Sequence, residues 1–398
     1  MPGQFDVVVL GLSVTGLYAV REAARAGFSV LGVGAPGAPG LWSRHLAGRV
    51  AGDTAAGRVD EILSRFPEST GRKPVLIVTS DQDLEEVTLR AATLSRHVHL
   101  QPSYVDGSAR RILEKDSFYR LCQSQGVSYP DYRSVRLRQL ERLDNELRYP
   151  LMLKPSRIQD VKHLMAGKKG WIVRSRADLT DVLADIPYAA DPLLMQEIVP
   201  GPESNITLWC GYLDAAGKVR QRFTARKLRQ YPSGFGSASL VQSETCEETA
   251  DIAEGLLRKL GYAGIAAAEF KRDPASGDLR IIEINPRPSL WFSLATASGV
   301  PLLETLIADA QGDALPAPSV QKDGVLWRYG LKDLASRLFY RTNPDFVLPA
   351  PEMARKRRAT GRADVTFAWD DPGPGFGEAV NYARKFSDRL LARRGSGR

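Results

Sequence analysis

The sequence predicts a multi-domain protein of mixed α/β and α+β class. A Rossmann-like βαβ unit comes first, then a module of two α+β subdomains, then a C-terminal extension. Three observations point there. The apolar runs Phe5–Leu10 and Phe28–Val33 flank an Ala-rich segment that opens at Gly11 and stops at Gly27, which is the order strand, turn, helix, strand. From Pro150 onward the chain changes to short apolar runs at hairpin spacing. The last hairpin carries carboxylates and an amide at alternating positions, so they share one strand face. The expected divisions are 1–105, 106–190, 191–310 and 311–398.

In the N-terminal unit, Gly11 and Gly16 allow a tight turn into the helix, and a helix N-terminus can hold an anion. The spacing Gly-x-Gly-x-x-Gly is absent, so a scaffold without NAD is expected ahead of a true dinucleotide site. Val75–Thr79 is another buried-strand candidate, ending in Ser80 and Asp81, with an acidic helix behind it. Residues 116–126 read as a helix capped by Asp116 or Ser117 and stopped at Gly126, and Pro130 opens an irregular stretch. Leu151–Pro155, Trp171–Val173 and Leu193–Val199 read as strands. Asn205–Tyr212 with Val219–Thr224 forms one hairpin, and Ile265–Lys271 with Leu279–Asn285 forms another, turned at Asp273–Gly277. Between the hairpins, 247–260 is an amphipathic helix stopped by Gly261.

Composition narrows the function. The 398 residues are 43% hydrophobic and 25% charged, ordinary for a globular protein, and no apolar run is long enough to span a bilayer. Met1–Asp6 lacks the features of a signal peptide, so a cytoplasmic location is the expectation. Three separated cysteines and four histidines fit neither a disulfide framework nor a zinc site. The net charge is +8, with much of the excess in 354–358 and 392–394. Such runs are ordinarily solvated surface, though anionic lipid, nucleic acid or phosphorylated substrates would also suit them. Aromatic and basic residues do not interleave in the usual nucleic-acid pattern, so no nucleic-acid partner is expected. Ala379, Ala383, Phe386 and Leu390 form a helical stripe on a basic segment. It would dock on the body or touch a membrane surface. A homodimer is the base-rate expectation.

The chemistry concentrates in the last hairpin. Glu283 and Asn285 are two apart, and Glu269 lies on the partner strand. Two carboxylates and an amide oxygen suit a hard divalent cation carrying nucleotide phosphates. The alternative is an exposed face whose acids pair with Arg or Lys. Lys154 ends a buried strand, where it would need an anion or reach solvent. Lys115 precedes a helix and could reach the same phosphates. Arg226, Lys227 and Arg229, with the later Gly234-Phe235-Gly236, add basic and flexible groups of the kind a phosphoryl-transfer clamp uses.

Together these residues resemble the ATP-grasp superfamily over about 115–306, and more loosely its preceding domain at the N-terminus. Phe223–Gly236 and Ile284-Asn-Pro-Arg-Pro288 resemble the carboxylate–amine ligase branch, distantly similar to D-aspartate ligase and carbamoyl-phosphate synthetase modules. The resemblance implies several roles. Lys115 and Lys154 are the two phosphate lysines, and Gln196, Glu197, Ile198 and Val199 are the hinge that meets adenine through main-chain atoms. Glu203 serves the ribose or the substrate. Glu269, Glu283 and Asn285 hold Mg2+, for which Mn2+ could stand in. Arg287 lies near the transferred phosphate, with Lys227 and Arg226 as further catalytic groups. The implied cofactors are ATP and magnesium, and the implied reaction is amide formation through an acyl phosphate from a small carboxylate and an amine. The alternatives are an ATP-grasp kinase or carboxylase, an NAD-dependent enzyme at Gly11–Gly16, or a silent ATP-binding protein. Two segments depart from the pattern. Ser156–Lys169 holds Arg157, Lys162, Lys168 and Lys169 in place of a simple glycine-rich loop, and 307–398 has no counterpart in the minimal module.

Overall fold

The computed structural model describes residues 5–69, 72–140, 149–156, 161, 163–165, 170–352 and 359–379. Three sheets organise them. The first is parallel, in the order β3 (Gly48–Ala51), β2 (Val30–Gly34), β1 (Val7–Leu10), β4 (Val75–Val78). Strands β1 and β4 are apolar at successive positions because helices cover both faces of the sheet. Helix α1 (Val14–Arg25) follows β1, and α2 (Asp81–Leu89) follows β4. Gly11 has φ +90°, and a Cβ on Gly16 would lie 1.9 Å from the Gly11 carbonyl oxygen. These two glycines therefore let α1 close on the turn, a packing role sufficient to require them.

The second sheet is antiparallel, in the order β5 (Tyr132–Val135), β8 (Leu193–Glu197), β6 (Leu151–Pro155), β7 (Trp171–Val173). It corrects two expectations. The stretch after Pro130 is not irregular, since Tyr132–Val135 pairs with β8. The strand at 193–197 belongs with this small sheet and not with the segment after 191, because its backbone is taken by β5 and β6 on either side. The expected helix at 116–126 is α3 (Lys115–Ser124). Its cap position is Glu114, two or three residues before the expected Asp116 or Ser117.

The third sheet has seven strands, in the order β13 (Leu279–Asn285), β12 (Gly264–Arg272), β9 (Ile206–Leu213), β10 (Val219–Tyr231), β11 (Ser237–Ser243), β14 (Val325–Arg328), β15 (Gly361–Asp364). Strand β10 runs well past the expected Thr224, so the basic run 226–229 lies on a strand and not in a flexible segment. Helix α4 (Glu247–Leu260) covers one face, and Gly261 stops it at φ +70°. On the other face, Ile206, Leu208 and Cys210 pack with α5 (Leu302–Gln311) and with β1 and α1. The segment beyond 310 adds β14 and β15 to this sheet and α6 (Gly330–Thr342) against β10, so it is not an appendage to it. Trp327 is fully buried there. The stripe positions Ala383, Phe386 and Leu390, the basic run 354–358, and Arg157, Lys162, Lys168 and Lys169 lie outside the described residues. Among the described residues, no helix is long and apolar enough to cross a membrane.

Candidate functional site

Register decides which side chains meet. Glu269 stands directly opposite Glu283, and Ala267 opposite Asn285, so both carboxylates and the amide project from one face of β12 and β13. Lys271 is two residues from Glu269 on the same face, and both Lys271 and Lys227 align with Ile206. One shared face thus carries Glu269, Glu283, Asn285, Lys227 and Lys271.

Like charges facing each other across strands repel, and here each carboxylate has a cation. Lys227 Nζ lies 2.6 Å from Glu269 Oε2, with Lys227 almost fully buried. Lys115 Nζ lies 3.9 Å from Glu283 Oε2, both about two-fifths exposed. Asn285 Nδ2 donates to Glu283 Oε1 at 3.1 Å, and Arg287 Nη2 donates to Asn285 Oδ1 at 3.3 Å. The line continues into the N-terminal unit, where Arg287 Nε donates to Asp81 Oδ1 at 2.6 Å.

The small sheet contributes Lys154, whose Nζ donates to Gln196 Oε1 at 2.9 Å. Gln196 Nε2 in turn donates to Tyr119 Oη, and Tyr119 donates to the Ile282 carbonyl at 3.3 Å. Ile282 is the extra residue at a shift in the β12–β13 register. The bulge leaves its carbonyl turned to a side chain. Lys154 and Glu283 are therefore linked through α3, which lies between the two sheets. Burial pushes the Tyr119 phenol well up, with Glu283 adding to the effect, so it stays a neutral donor.

The hinge residues are held from both sides. Ile198 N donates to Pro150 O at 3.2 Å, and Val199 O accepts from Lys271 Nζ at 2.8 Å. The Glu197 carboxylate meets Arg280 at 2.7 Å, which fastens this strand to β13. Burial pushes Lys271 down to about 8, against the pull of Glu203 and Glu269.

Two expected site residues take other places. Arg226 is next to Lys227 on a strand, so it points to the opposite face. There it forms a two-pronged pair with Glu244 and donates to Ser204 O at 3.0 Å, away from the carboxylates. Glu203, expected beside the ribose or substrate, has no exposed surface. Its carboxylate accepts from Gln230 N at 3.0 Å, from Gly234 N, and from Tyr340 Oη at 2.8 Å. It braces the β10–β11 turn against α6. Burial raises its carboxyl above the usual carboxylate range.

Among the described residues, no three His, Cys, Asp or Glu side chains converge on a metal-sized site. Glu269, Glu283 and Asn285 nonetheless form an all-oxygen donor set. It fits a magnesium ion that keeps most of its waters, and Lys227 and Lys115 mark the same charge demand. Sequence reasoning missed Lys271, Tyr119 and Asp81. The last carried a signal, since it follows the carboxyl end of the parallel strand β4, and crevices at such strand ends are common ligand sites.

Residues 235–317 match the family model described as carbamoyl-phosphate synthase L chain, ATP binding domain. D-aspartate ligase of Enterococcus faecium (strain Aus0004) is 27% identical over 251 residues, which cover 60% of this chain and 59% of that protein. The arginine-specific carbamoyl phosphate synthase large chain of Bacillus subtilis (strain 168) is 26% identical over 197 residues, 48% of this chain and 18% of that one. The chain thus spans about three-fifths of the first relative's length and less than a fifth of the second's. The solved N5-carboxyaminoimidazole synthase of Aspergillus clavatus, in complex with ADP and 5-aminoimidazole ribonucleotide, superposes with a TM-score of 0.58 at 16% identity. That match covers 79% of this chain and 78% of the other. Within the chain, residues 235–317 match the model of an ATP-binding domain, the sequence is similar to D-aspartate ligase and carbamoyl phosphate synthase, and the mixed α/β fold is one it shares with N5-carboxyaminoimidazole synthase.

Proposed function

We propose that this protein is an ATP-dependent carboxylate–amine ligase that forms an amide through an acyl phosphate and releases ADP and phosphate. The observation that carries this reading is the register of β12 and β13. It sets Glu269 against Glu283 beside Asn285, with Lys227 and Lys115 neutralising the pair and Arg287 two residues further on. A bound magnesium ion would supply charge neutralisation to the nucleotide phosphates there. Lys154 and Lys115 approach from the small sheet and α3 and hold phosphate oxygens. Glu269, Glu283 and Asn285 would hold that ion, and Lys227, paired with Glu269 in this structure, would then be placed to meet a phosphate. A substrate carboxylate oxygen attacks the γ-phosphorus, and the bond to ADP breaks. Arg287 stabilises the charge on the transferring group. The amine nitrogen then attacks the acyl carbon, phosphate departs with the bonding pair, and the nitrogen loses its proton. The relatedness to D-aspartate ligase supports amide formation.

The test is ADP release by the purified protein, with magnesium and ATP, over a panel of small carboxylates with and without amines. ADP release that requires an acid, and amide that appears only with an amine, are the expected results. Phosphorylated product that accumulates with no amine would redirect the reading to a kinase or carboxylase. Glu283→Gln should lower turnover by about 100-fold, the scale of losing several kcal/mol of charge stabilisation. Full activity in that variant would refute the metal assignment.

A further inference from the structure

We propose that Asp81 is a positioning residue that fixes the Arg287 guanidinium, so that the N-terminal unit completes the site on the large sheet. The proposal rests on the reading of Arg287 as the group that meets the transferring phosphoryl.

A guanidinium has five N–H donors in a rigid plane. Arg287 directs one from each nitrogen into the protein: Nε to Asp81 Oδ1 at 2.6 Å, Nη1 to Pro288 O at 3.0 Å, and Nη2 to Asn285 Oδ1 at 3.3 Å. Three anchors on three nitrogens leave the plane no rotation and leave one N–H on each Nη for an incoming anion. Pro288 and Asn285 are neighbours of Arg287 on its own strand exit. Asp81 is the one anchor of the three that comes from another unit of the chain.

Asp81 is itself held. It is the first residue of α2, whose cap Ser80 accepts from Asp83 N at 3.2 Å. Asp83 is 1% exposed and meets Arg58 at 2.6 Å, which ties the start of α2 to the N-terminal unit. The same unit closes over the strand exit, with Tyr104 Oη donating to Pro286 O at 3.0 Å. An exposed ion pair ordinarily contributes little. This one differs because the Arg287 side chain is 14% exposed, although Asp81 is 46% exposed, and each Nη already makes one further hydrogen bond. Removing the Asp81 carboxylate frees a guanidinium edge within the site.

The experiment uses inorganic phosphate as the probe, bound to the full chain with MgADP present and followed by calorimetry. Asp81→Asn, Arg287→Ala and the double variant are compared with the wild type, and thermal unfolding is recorded for each. Asp81→Asn should weaken phosphate about tenfold, the scale of one charge-assisted hydrogen bond. MgADP affinity and Tm should stay unchanged, and Asp81→Glu should regain part of the loss. In the Arg287→Ala background, Asp81→Asn should add nothing, because its effect passes through Arg287. Phosphate affinity within twofold of wild type in Asp81→Asn, or an equal loss in both backgrounds, overturns the proposal. Failure of the wild type to bind MgADP would instead sink the ATP reading, and phosphate binding to the protein alone would still decide Asp81 by the same comparison.

Discussion

At Lys271 an ammonium lies inside the large sheet, donating to the Val199 carbonyl with Glu203 and Glu269 nearby. Its folded-state value of about 8 is below the ordinary lysine value of about 10.4. Between these two values the unfolded chain binds more protons, so stability rises with pH across that window. Below pH 8 both states are protonated and the burial cost is fully present. Stability of the wild type relative to Lys271→Met should therefore rise by about 2 kcal/mol from pH 7.5 to 9.5. Urea unfolding of both proteins in chelator, at the two pH values, measures it, and a flat difference would show that Lys271 titrates normally. Lys227 and Arg226 make a second residue-scale contrast, since adjacent strand positions face opposite ways. Lys227→Met should lower turnover at least about tenfold by removing a phosphate-neutralising charge. Arg226→Met should leave nucleotide affinity within about twofold and show only the ~1 kcal/mol stability loss of a part-exposed pair. Equal kinetic effects of the two would contradict the facial assignment.

At the scale of elements, α6 is fastened to β10 by polar contacts as well as packing. Arg229 Nε meets Asp333 at 2.7 Å with both side chains about one-tenth exposed, and Tyr340 on the same helix donates to Glu203. Removing one partner of a buried pair leaves the other charge uncompensated. Asp333→Ala should lose about 3 kcal/mol in urea unfolding. A loss under 1 kcal/mol would show that the pair is screened by water. Because Glu203 also holds the backbone of Gln230 and Gly234, loosening α6 should disturb the turn that follows Lys227. The expected kinetic sign is a higher KM for ATP with kcat less affected.

Over the whole molecule, the chain returns to its beginning. Asp371 is fully buried, meeting Arg21 Nε at 2.9 Å, Ser43 Oγ at 2.8 Å and the Arg44 amide at 2.9 Å. Beside it, Asp370 pairs with Arg25 on the surface. This latch ties the segment after β15 to the N-terminal unit that presents Asp81. Asp371→Ala should cost about 3 kcal/mol through the stranded Arg21 charge. It should also speed proteolytic cleavage within 365–379, while MgADP affinity stays at the wild-type level because none of the latch partners is a site residue. Unchanged cleavage would mean that other contacts hold the segment.

The sequence by itself determined the elements whose signal is local. Val7–Leu10 and Val75–Val78 are continuous apolar runs, Gly261 and Gly126 stop helices, and Glu283 and Asn285 share a face because a strand repeats every two residues. It also placed Glu269 on the strand that pairs with the Glu283 strand and Lys154 near a strand end, since hairpin spacing and charge at strand ends are readable in one dimension. The tertiary structure alone decided what depends on contacts between distant segments. It placed Arg226 away from Lys227's partners, withdrew Glu203 into the interior, drew 325–364 into the large sheet, and brought Asp81 to Arg287 across 206 positions. Such choices rest on register and on which buried polar group finds a partner, and neither is encoded within any single stretch of chain.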